Sequence, residues 1–349
     1  MTRGTWRRGR RGRACPAGGI VAAALAVYAS PLVGQDGCGP VGERAIFACV
    51  RGVEGPTIVL AAGAGQDSRT WDPLLDELSA LGRVVTFDRP GLGRSPPVAG
   101  ARTPTVIARE IRALVAALDL PGPIVFVGHS MGGIHALRYA DEYPEAVAGV
   151  VLLDAPPPGF ENERMALLSV EEQERRRALL EEGRSRAPEV VGRERDGAAA
   201  ERWVFERFPA TKPLVVVVAD SQDFGTLGSG DAHRALWMRL SERWLDLSDR
   251  SRLVVATGSG HMIHRERPGL VLDAIRSVVG HLPDGIVSVS PTPVRPEGRR
   301  ASGRGGRHGS EARRRTGSHH RRRWGRGGVG RGPTLARGHR CAGRGPRDE

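Results

Sequence analysis

One serine in this sequence stands where nucleophilic chemistry could be arranged. An apolar run stops at Gly128, and residues 128–133 read Gly-His-Ser-Met-Gly-Gly. Glycine at 128 and 132 permits a strand-to-helix turn so sharp that only the side chain of Ser130 would project from it. The pattern predicts Ser130 as a nucleophile. The backbone N–H of Met131, at the start of the following helix, is predicted to stabilise negative charge on a reacting carbonyl oxygen.

A second donor to that oxygen is predicted in a glycine-rich loop. The loop, Ala-Ala-Gly-Ala-Gly at residues 61–65, follows an apolar run at 57–62 that is typical of a strand. Loops of this kind can turn a backbone N–H toward a nucleophile at the same edge of a sheet. Ala64 is the residue predicted to do so, and the alternative is a plain connection between a strand and a helix.

The elements that must position Ser130 alternate along the chain. Strands are predicted at 44–51, 57–62, 83–87, around 125–127, and at 147–153, 213–219 and 252–256; helices are predicted at about 71–80, at 103–118, from 131 to about 143, at 233–245 and at 268–280. Alternation of strand and helix predicts an α/β fold with a mostly parallel sheet and right-handed crossovers. The strands at 44–51 and 57–62, joined by a Gly- and Pro-containing turn, are predicted to pair as an antiparallel hairpin.

Composition divides the chain into three regions. Residues 41–290 are predicted to form the α/β domain, with one or two short amphipathic helices at about 155–210 forming a lid over the carboxyl edge of the sheet. Residues 1–29, a basic stretch followed by a short apolar run, predict a signal peptide, with an uncleaved N-terminal anchor or a misassigned start as alternatives. Residues 291–349, rich in Arg and Gly, predict a disordered tail.

The positive charge belongs to the two ends of the chain. The whole sequence carries a formal net charge of +13, and residues 295–349 alone hold 17 Arg against 4 acidic residues. Residues 15–294 are mildly acidic, so nucleic acid is not the expected partner. A basic arm that binds nucleic acid or an anionic surface remains an alternative for the tail. The leader predicts a secreted or extracytoplasmic protein, or association with a membrane or envelope through the N-terminus.

Two of the four cysteines lie between the predicted leader and the predicted tail. Cys38 and Cys49 lie eleven residues apart on a segment that resembles a β-hairpin. A disulfide between them is predicted if the protein is exported, and two free thiols are the alternative. No cysteine belongs to a spacing typical of metal binding.

Taken together, these features resemble the α/β-hydrolase superfamily from about Thr57 to Gly280. Four of them occur in the order that the family has: the loop at 62–64, Asp-Arg-Pro-Gly-Leu-Gly-Arg-Ser at 88–95, Gly-His-Ser-Met-Gly-Gly at 128–133, and Gly-His at 260–261. The chain departs from many members at Ala62, where they have His. The resemblance implies a Ser-His-Asp triad and, because the nucleophile is Ser rather than Asp, acyl transfer to water.

The resemblance also implies the other members of the triad. His261 matches the family's position for the base, after the last strand and before the last helix, and His264 is the competitor. His129 and His135 are predicted to pack or to form hydrogen bonds instead. The acid is predicted at Asp154, which directly follows a strand.

Two further carboxylates compete for the role of the acid. Asp223 and Asp220 are the alternatives, because both follow the strand after the lid, where family members also carry the acid.

The predicted activity is that of an esterase-like serine hydrolase, acting as a monomer on a small-molecule ester or related acyl compound. No metal-ligand spacing, phosphate loop or dinucleotide fingerprint occurs, so no cofactor or metal is expected. Two alternatives remain open. One is a binding protein with slow or no turnover on the same fold, and the other is a hydrolase of carbon–carbon bonds.

Overall fold

The computed structural model of the protein describes residues 37–52 and 54–281. The predicted leader, 1–29, and the predicted tail, 291–349, lie outside the described residues. Eight strands are described: β1 Gly37–Val41, β2 Ile46–Arg51, β3 Thr57–Ala61, β4 Arg83–Phe87, β5 Ile124–His129, β6 Val147–Leu153, β7 Leu214–Ala219 and β8 Ser251–Ala256.

The helices pack on both faces of the sheet. They are α1 Leu75–Ser79, α2 Pro104–Ala117, α3 Met131–Glu142, α4 Phe160–Ala166, α5 Val170–Arg186, α6 Glu189–Ala200, α7 Gly230–Ser241, α8 Ile263–Glu266 and α9 Pro268–Val279. Short 3-10 helices run over Ser68–Leu74, Pro144–Ala146 and Glu242–Leu247. Within the described ranges, no helix is both long enough and apolar enough to span a bilayer.

The eight strands form one sheet in the order β1-β2-β4-β3-β5-β6-β7-β8. The β1–β2 and β2–β4 pairs are antiparallel and the other pairs are parallel. This confirms the predicted α/β class and mostly parallel sheet. The predicted hairpin between 44–51 and 57–62 is wrong, because β4 lies between β2 and β3 and pairs with both. The hairpin partner of β2 is β1, a short strand before it.

The central strands are buried on both faces, as their uninterrupted apolar sequences require. Every residue of β3, β5, β6 and β7 is buried. On one face the sheet packs against α2 and α3, through residues such as Ile107 and Leu137, and on the other against α1 and α9, through residues such as Leu78 and Ile275. Burying each such side chain stabilises the fold by about 1.5 to 3 kcal/mol.

Cys38 and Cys49 form a disulfide in the β1–β2 hairpin. They face each other in the antiparallel register, with their Cα atoms 4.0 Å apart. The bond therefore ties the edge strand β1 to the sheet, as predicted for the oxidised protein.

The segment at 155–210 contains three helices, α4, α5 and α6, rather than one or two. The longest, α5, has no buried residue, so it is not amphipathic. It begins with a capping box, in which the Ser169 hydroxyl accepts from the Glu172 N–H and the Glu172 carboxylate accepts from the Ser169 N–H. Such a cap stabilises a helix that few tertiary contacts support.

Candidate active site

Ser130 occupies the tight turn between β5 and α3. Its φ of 52° lies in the left-handed region, and its N–H donates to the carbonyl oxygen of Leu153, 2.9 Å away. A Cβ at Gly128 would lie 2.4 Å from the oxygen of Gly132, and one at Gly132 would lie 2.1 Å from the oxygen of Ala61. Glycine is therefore required at both positions, and the turn leaves Ser130 at the N-terminus of a twelve-residue helix.

His261 and Asp154 are brought together from distant parts of the chain. The Nδ1 atom of His261 lies 2.6 Å from Oδ2 of Asp154, whose carboxylate is fully buried. The other carboxylate oxygen accepts from the Trp237 indole N–H at 2.8 Å and from the Ala219 N–H at 3.1 Å. Three donors thus fix the carboxylate, and it in turn orients the imidazole of His261.

The alternative acids lie elsewhere. Oδ1 of Asp220 accepts from the Gly258 N–H at 2.7 Å, and Oδ1 of Asp223 accepts from the Gly225 N–H at 2.7 Å. Both carboxylates stabilise loops by bonds to backbone, while only Asp154 of the three has a hydrogen bond to His261 among the described residues. Asp154 itself has a φ of 48°, a sharp backbone turn directly after β6.

A cavity of about 1000 Å³ joins the predicted residues. Ser130, His261, Ala64 and Met131 all line it. Within the described part of the chain, no hydrogen bond joins Ser130 Oγ to His261, so their approach would have to be completed when substrate binds. His261 is about one-third exposed, which gives its ring access to the cavity.

His129 and His264, near His261, are buried and take part in packing and hydrogen bonds. Nε2 of His129 donates to the His261 carbonyl oxygen at 2.9 Å, and Nε2 of His264 lies 2.8 Å from Thr70 Oγ1. Burial lowers the pKa of His264 to about 4 and holds the pKa of His129 well below its usual value. Both rings are neutral at pH 7, and neither lines the cavity.

The loop that carries Ala64 is held by Arg89, a residue whose role the sequence did not reveal. Its guanidinium donates to the carbonyl oxygens of Ala62 at 2.6 Å and Gly63 at 2.8 Å. A trans peptide directs its C=O and N–H to opposite sides, so fixing the Gly63 carbonyl also fixes the direction of the Ala64 N–H. Arg89 belongs to the Asp-Arg-Pro-Gly-Leu-Gly-Arg-Ser motif at 88–95, and this motif is the sequence signal that could have indicated its role.

A buried carboxylate completes this support. Glu194 on α6 accepts from Nε of Arg89 at 2.9 Å and lies 3.5 Å from Nη2 of Arg102, and its side chain is fully buried. The positive charge of Arg89 lowers the pKa of Glu194 to about 2 against the opposing effect of burial. The pair connects the loop of Ala64 to the segment at 155–210, and nothing in the sequence around Glu194 indicates this.

Removing this carboxylate should cost stability. We expect Glu194→Ala to lower the free energy of unfolding by about 3 to 5 kcal/mol, because it leaves the guanidinium of Arg89 buried and unpaired. The matched control is Glu189→Ala on the same helix, where the carboxylate is exposed and a change within about 0.5 kcal/mol is expected. Urea titration followed by far-UV circular dichroism measures both; equal effects of the two substitutions would contradict the prediction.

The buried histidines should make stability depend on pH. Burial lowers the pKa of His135 to about 3, as it lowers that of His264 to about 4, whereas an unfolded chain binds these protons near pH 6.5. The unfolded state therefore binds more protons below pH 6.5, and stability falls as the pH falls from 6.5 toward 4. Each neutral histidine contributes a slope of up to about 1.4 kcal/mol per pH unit.

This slope is checked by urea unfolding at pH 7, 6 and 5. Neither ring nitrogen of His135 has a hydrogen-bond partner among the described residues, so Phe can replace it without losing a bond. We expect His135→Phe to reduce this slope by up to about 1.4 kcal/mol per pH unit, the contribution of one histidine. Stability that does not change between pH 7 and pH 5 would contradict the assignment of these rings as neutral.

Comparison with known proteins supports the fold. The model of the alpha/beta hydrolase family matches residues 58–274. The protein YqjL of Bacillus subtilis (strain 168), which is uncharacterized, is 28% identical over 233 residues, covering 65% of this chain and 85% of YqjL. A solved structure of BpoC from Mycobacterium tuberculosis H37Rv has a TM-score of 0.50 and 22% identity, covering 67% of this chain and 95% of BpoC.

One similar protein has a named activity. The pimeloyl-[acyl-carrier protein] methyl ester esterase of Shewanella sp. (strain MR-7) is 34% identical over 104 residues. The match covers 30% of this chain and 36% of that esterase. In the described ranges, no group of three or more His, Cys, Asp or Glu could hold a metal ion.

Proposed function

The chain belongs to the alpha/beta hydrolase family, and we propose that it is a serine hydrolase that cleaves a carboxylic ester or a related acyl bond through an acyl-enzyme. The observation that carries the proposal is the hydrogen bond between His261 Nδ1 and the buried Asp154, beside a cavity that Ser130 also lines. The similar methyl ester esterase supports an ester as the first substrate class to test.

The reaction begins with proton transfer from Ser130. Nε2 of His261 takes the hydroxyl proton while Oγ bonds to the carbonyl carbon of the ester. Asp154 keeps the proton of His261 on Nδ1, so Nε2 is free to act as the base, and it stabilises the imidazolium that forms. The N–H groups of Ala64 and Met131 donate to the resulting oxyanion, aided by the helix N-terminus.

Collapse of the tetrahedral intermediate completes the first half. The bond to the alcohol oxygen breaks, and His261 returns its proton to that oxygen, which leaves as the alcohol. Water then replaces the alcohol: His261 takes a proton from it, the oxygen attacks the acyl carbon, and Ser130 recovers the proton as the acid departs. No group other than these side chains and water is needed to balance the reaction.

Labelling of the full-length protein tests the proposal. A fluorophosphonate should add once, with the adduct mapped by peptide mass spectrometry to the peptide containing Ser130, and 4-nitrophenyl esters should be hydrolysed with multiple turnovers. A folded protein that takes no label would contradict the activated serine. Stoichiometric acylation without turnover would instead support a binding protein on the same fold.

The disulfide supports a proposal on location. A bond between Cys38 and Cys49 persists in oxidising compartments and is rare where thiols are kept reduced. We propose that the protein acts outside the cytoplasm as a secreted or envelope-associated monomer. Alkylation of the native protein without prior reduction tests this: neither Cys38 nor Cys49 should be modified in material recovered from the producing cell.

A further inference from the structure

Arg164 on α4 is a buried cation that no carboxylate of the described residues contacts directly. Its side chain is 4% exposed, and no salt bridge to it occurs among the described residues. Nη2 donates to the Phe224 carbonyl oxygen, and Nε is buried without a partner. Among the described residues, Nη1 forms no hydrogen bond and is not fully enclosed, so it is the part of the guanidinium that remains open.

The other buried arginines show how unusual this is. In the described part of the chain Arg89, Arg102 and Arg138 are also buried, and each has a carboxylate within 3.0 Å. The two acids on the same helix have other partners: Glu161 accepts at both oxygens from Arg176, at 2.9 and 3.0 Å, and Glu163 pairs with Arg239 at 2.8 Å and Arg243 at 3.0 Å. Every comparable guanidinium is therefore neutralised within the protein, and Arg164 is the exception.

The position of Arg164 indicates what could balance it. Arg164 lines the same cavity as Ser130 and His261. A buried charge without a paired anion keeps its desolvation cost, and a ligand anion can offset that cost by supplying the missing partner. Phe224, which lines the same cavity, lies against the guanidinium, with its ring centre 5.4 Å from Cζ.

We propose that the substrate carries a free carboxylate, in addition to the acyl bond that is cleaved, and that this carboxylate binds Arg164. One uncompensated positive charge matches one negative charge, which a carboxylate supplies in a form that pairs well with a guanidinium. The substrate class is thus the monoester of a dicarboxylic acid, or an ester with a carboxylated alcohol. The inference rests on the proposed function for the identity of the bond that is cleaved.

Matched substrates test the inference on the full-length protein. Mono-4-nitrophenyl esters of dicarboxylic acids from adipate to sebacate are compared with the corresponding esters whose far end is a neutral primary amide. We expect kcat/KM to be about 10- to 100-fold higher for the carboxylate at the chain length that reaches Arg164, the size of a charged hydrogen bond. No preference at any length would overturn the inference.

Variants assign the preference to one residue. Arg164→Gln should lower the preference for the carboxylate-ended ester to within about threefold, while hydrolysis of the amide-ended ester continues. Arg164→Lys should retain part of this preference because the charge remains. Arg195→Gln changes an exposed arginine that lines the same cavity. Equal loss in Arg164→Gln and Arg195→Gln would mean a diffuse positive potential instead of a carboxylate site, and would overturn the inference.

Binding separates failure of this inference from failure of the proposed function. If neither ester is hydrolysed and no fluorophosphonate adduct forms, the proposed function fails. The carboxylate site is then tested separately, by measuring the affinity of the protein for monomethyl suberate by calorimetry. Binding at least about 10-fold tighter than that of the amide analogue, lost in Arg164→Gln, supports the carboxylate site by itself. Equal binding of the two compounds, with or without catalysis, would contradict it.

Discussion

Ser130→Ala and His261→Ala are each expected to lower kcat for ester hydrolysis by about 10⁶-fold, and the double variant is expected to lose no more than either single variant. The reason is that the hydroxyl and the imidazole act as one unit: Ser130 is a weak nucleophile without the base, and His261 has no proton to take without Ser130. What activity survives would come from the oxyanion donors and from substrate binding.

The measurement is single-turnover and steady-state hydrolysis of a 4-nitrophenyl ester by the parent protein, the two single variants and the double variant. Ser185→Ala, at an exposed serine of α5 whose hydroxyl donates to the Glu182 carbonyl oxygen, is the matched control and should keep parental activity. Losses that multiply in the double variant would show that the two side chains act independently, which contradicts the mechanism.

Asp154→Asn is expected to lower kcat by about 10⁴-fold with little change in KM. The amide of Asn can still accept from the Ala219 N–H and the Trp237 indole through its oxygen, so the fold is kept. Its NH₂ group would then face Nδ1 of His261 and would force the imidazole proton onto Nε2. In that tautomer His261 cannot take the proton of Ser130.

Asp223→Asn and Asp220→Asn are the matched controls, since each carboxylate bonds to loop backbone. Both should retain kcat to within about threefold, because an amide oxygen can accept the same backbone bond. Circular dichroism and urea unfolding establish that each variant is folded. A large loss in either control, with parental activity in Asp154→Asn, would assign the acid to the other loop.

The segments around the site could be predicted because their signals are local. Gly128 and Gly132 leave no room for a Cβ in the turn, so the sequence around Ser130 by itself predicts the strand, the turn and the helix. The apolar runs of β3, β5, β6 and β7 are continuous because both faces of a parallel sheet are covered, and this predicted the fold class. The family resemblance supplied the chain positions of His261 and the candidate acids.

Other features depended on partners that are far apart in sequence. The hairpin between 44–51 and 57–62 was wrong because strand pairing is decided by which strand fills the space beside β3, and β4 does so. The hydrogen bond of Asp154, rather than Asp220 or Asp223, to His261 depends on where the fold places Trp237 and Ala219 around that carboxylate. The sequence listed three acids after two strands, and only their arrangement in space distinguishes them.

The sequence by itself determined the α/β class, the turn at Ser130 and the set of residues among which a triad could be chosen. The tertiary structure alone decided the ion pair of Arg89 with Glu194, 105 residues away, and the absence of a salt bridge to Arg164 among the described residues. The physical reason is that backbone sterics and hydrophobic periodicity act over a few residues, whereas a buried charge is satisfied by whichever partner the folded chain brings within hydrogen-bond distance.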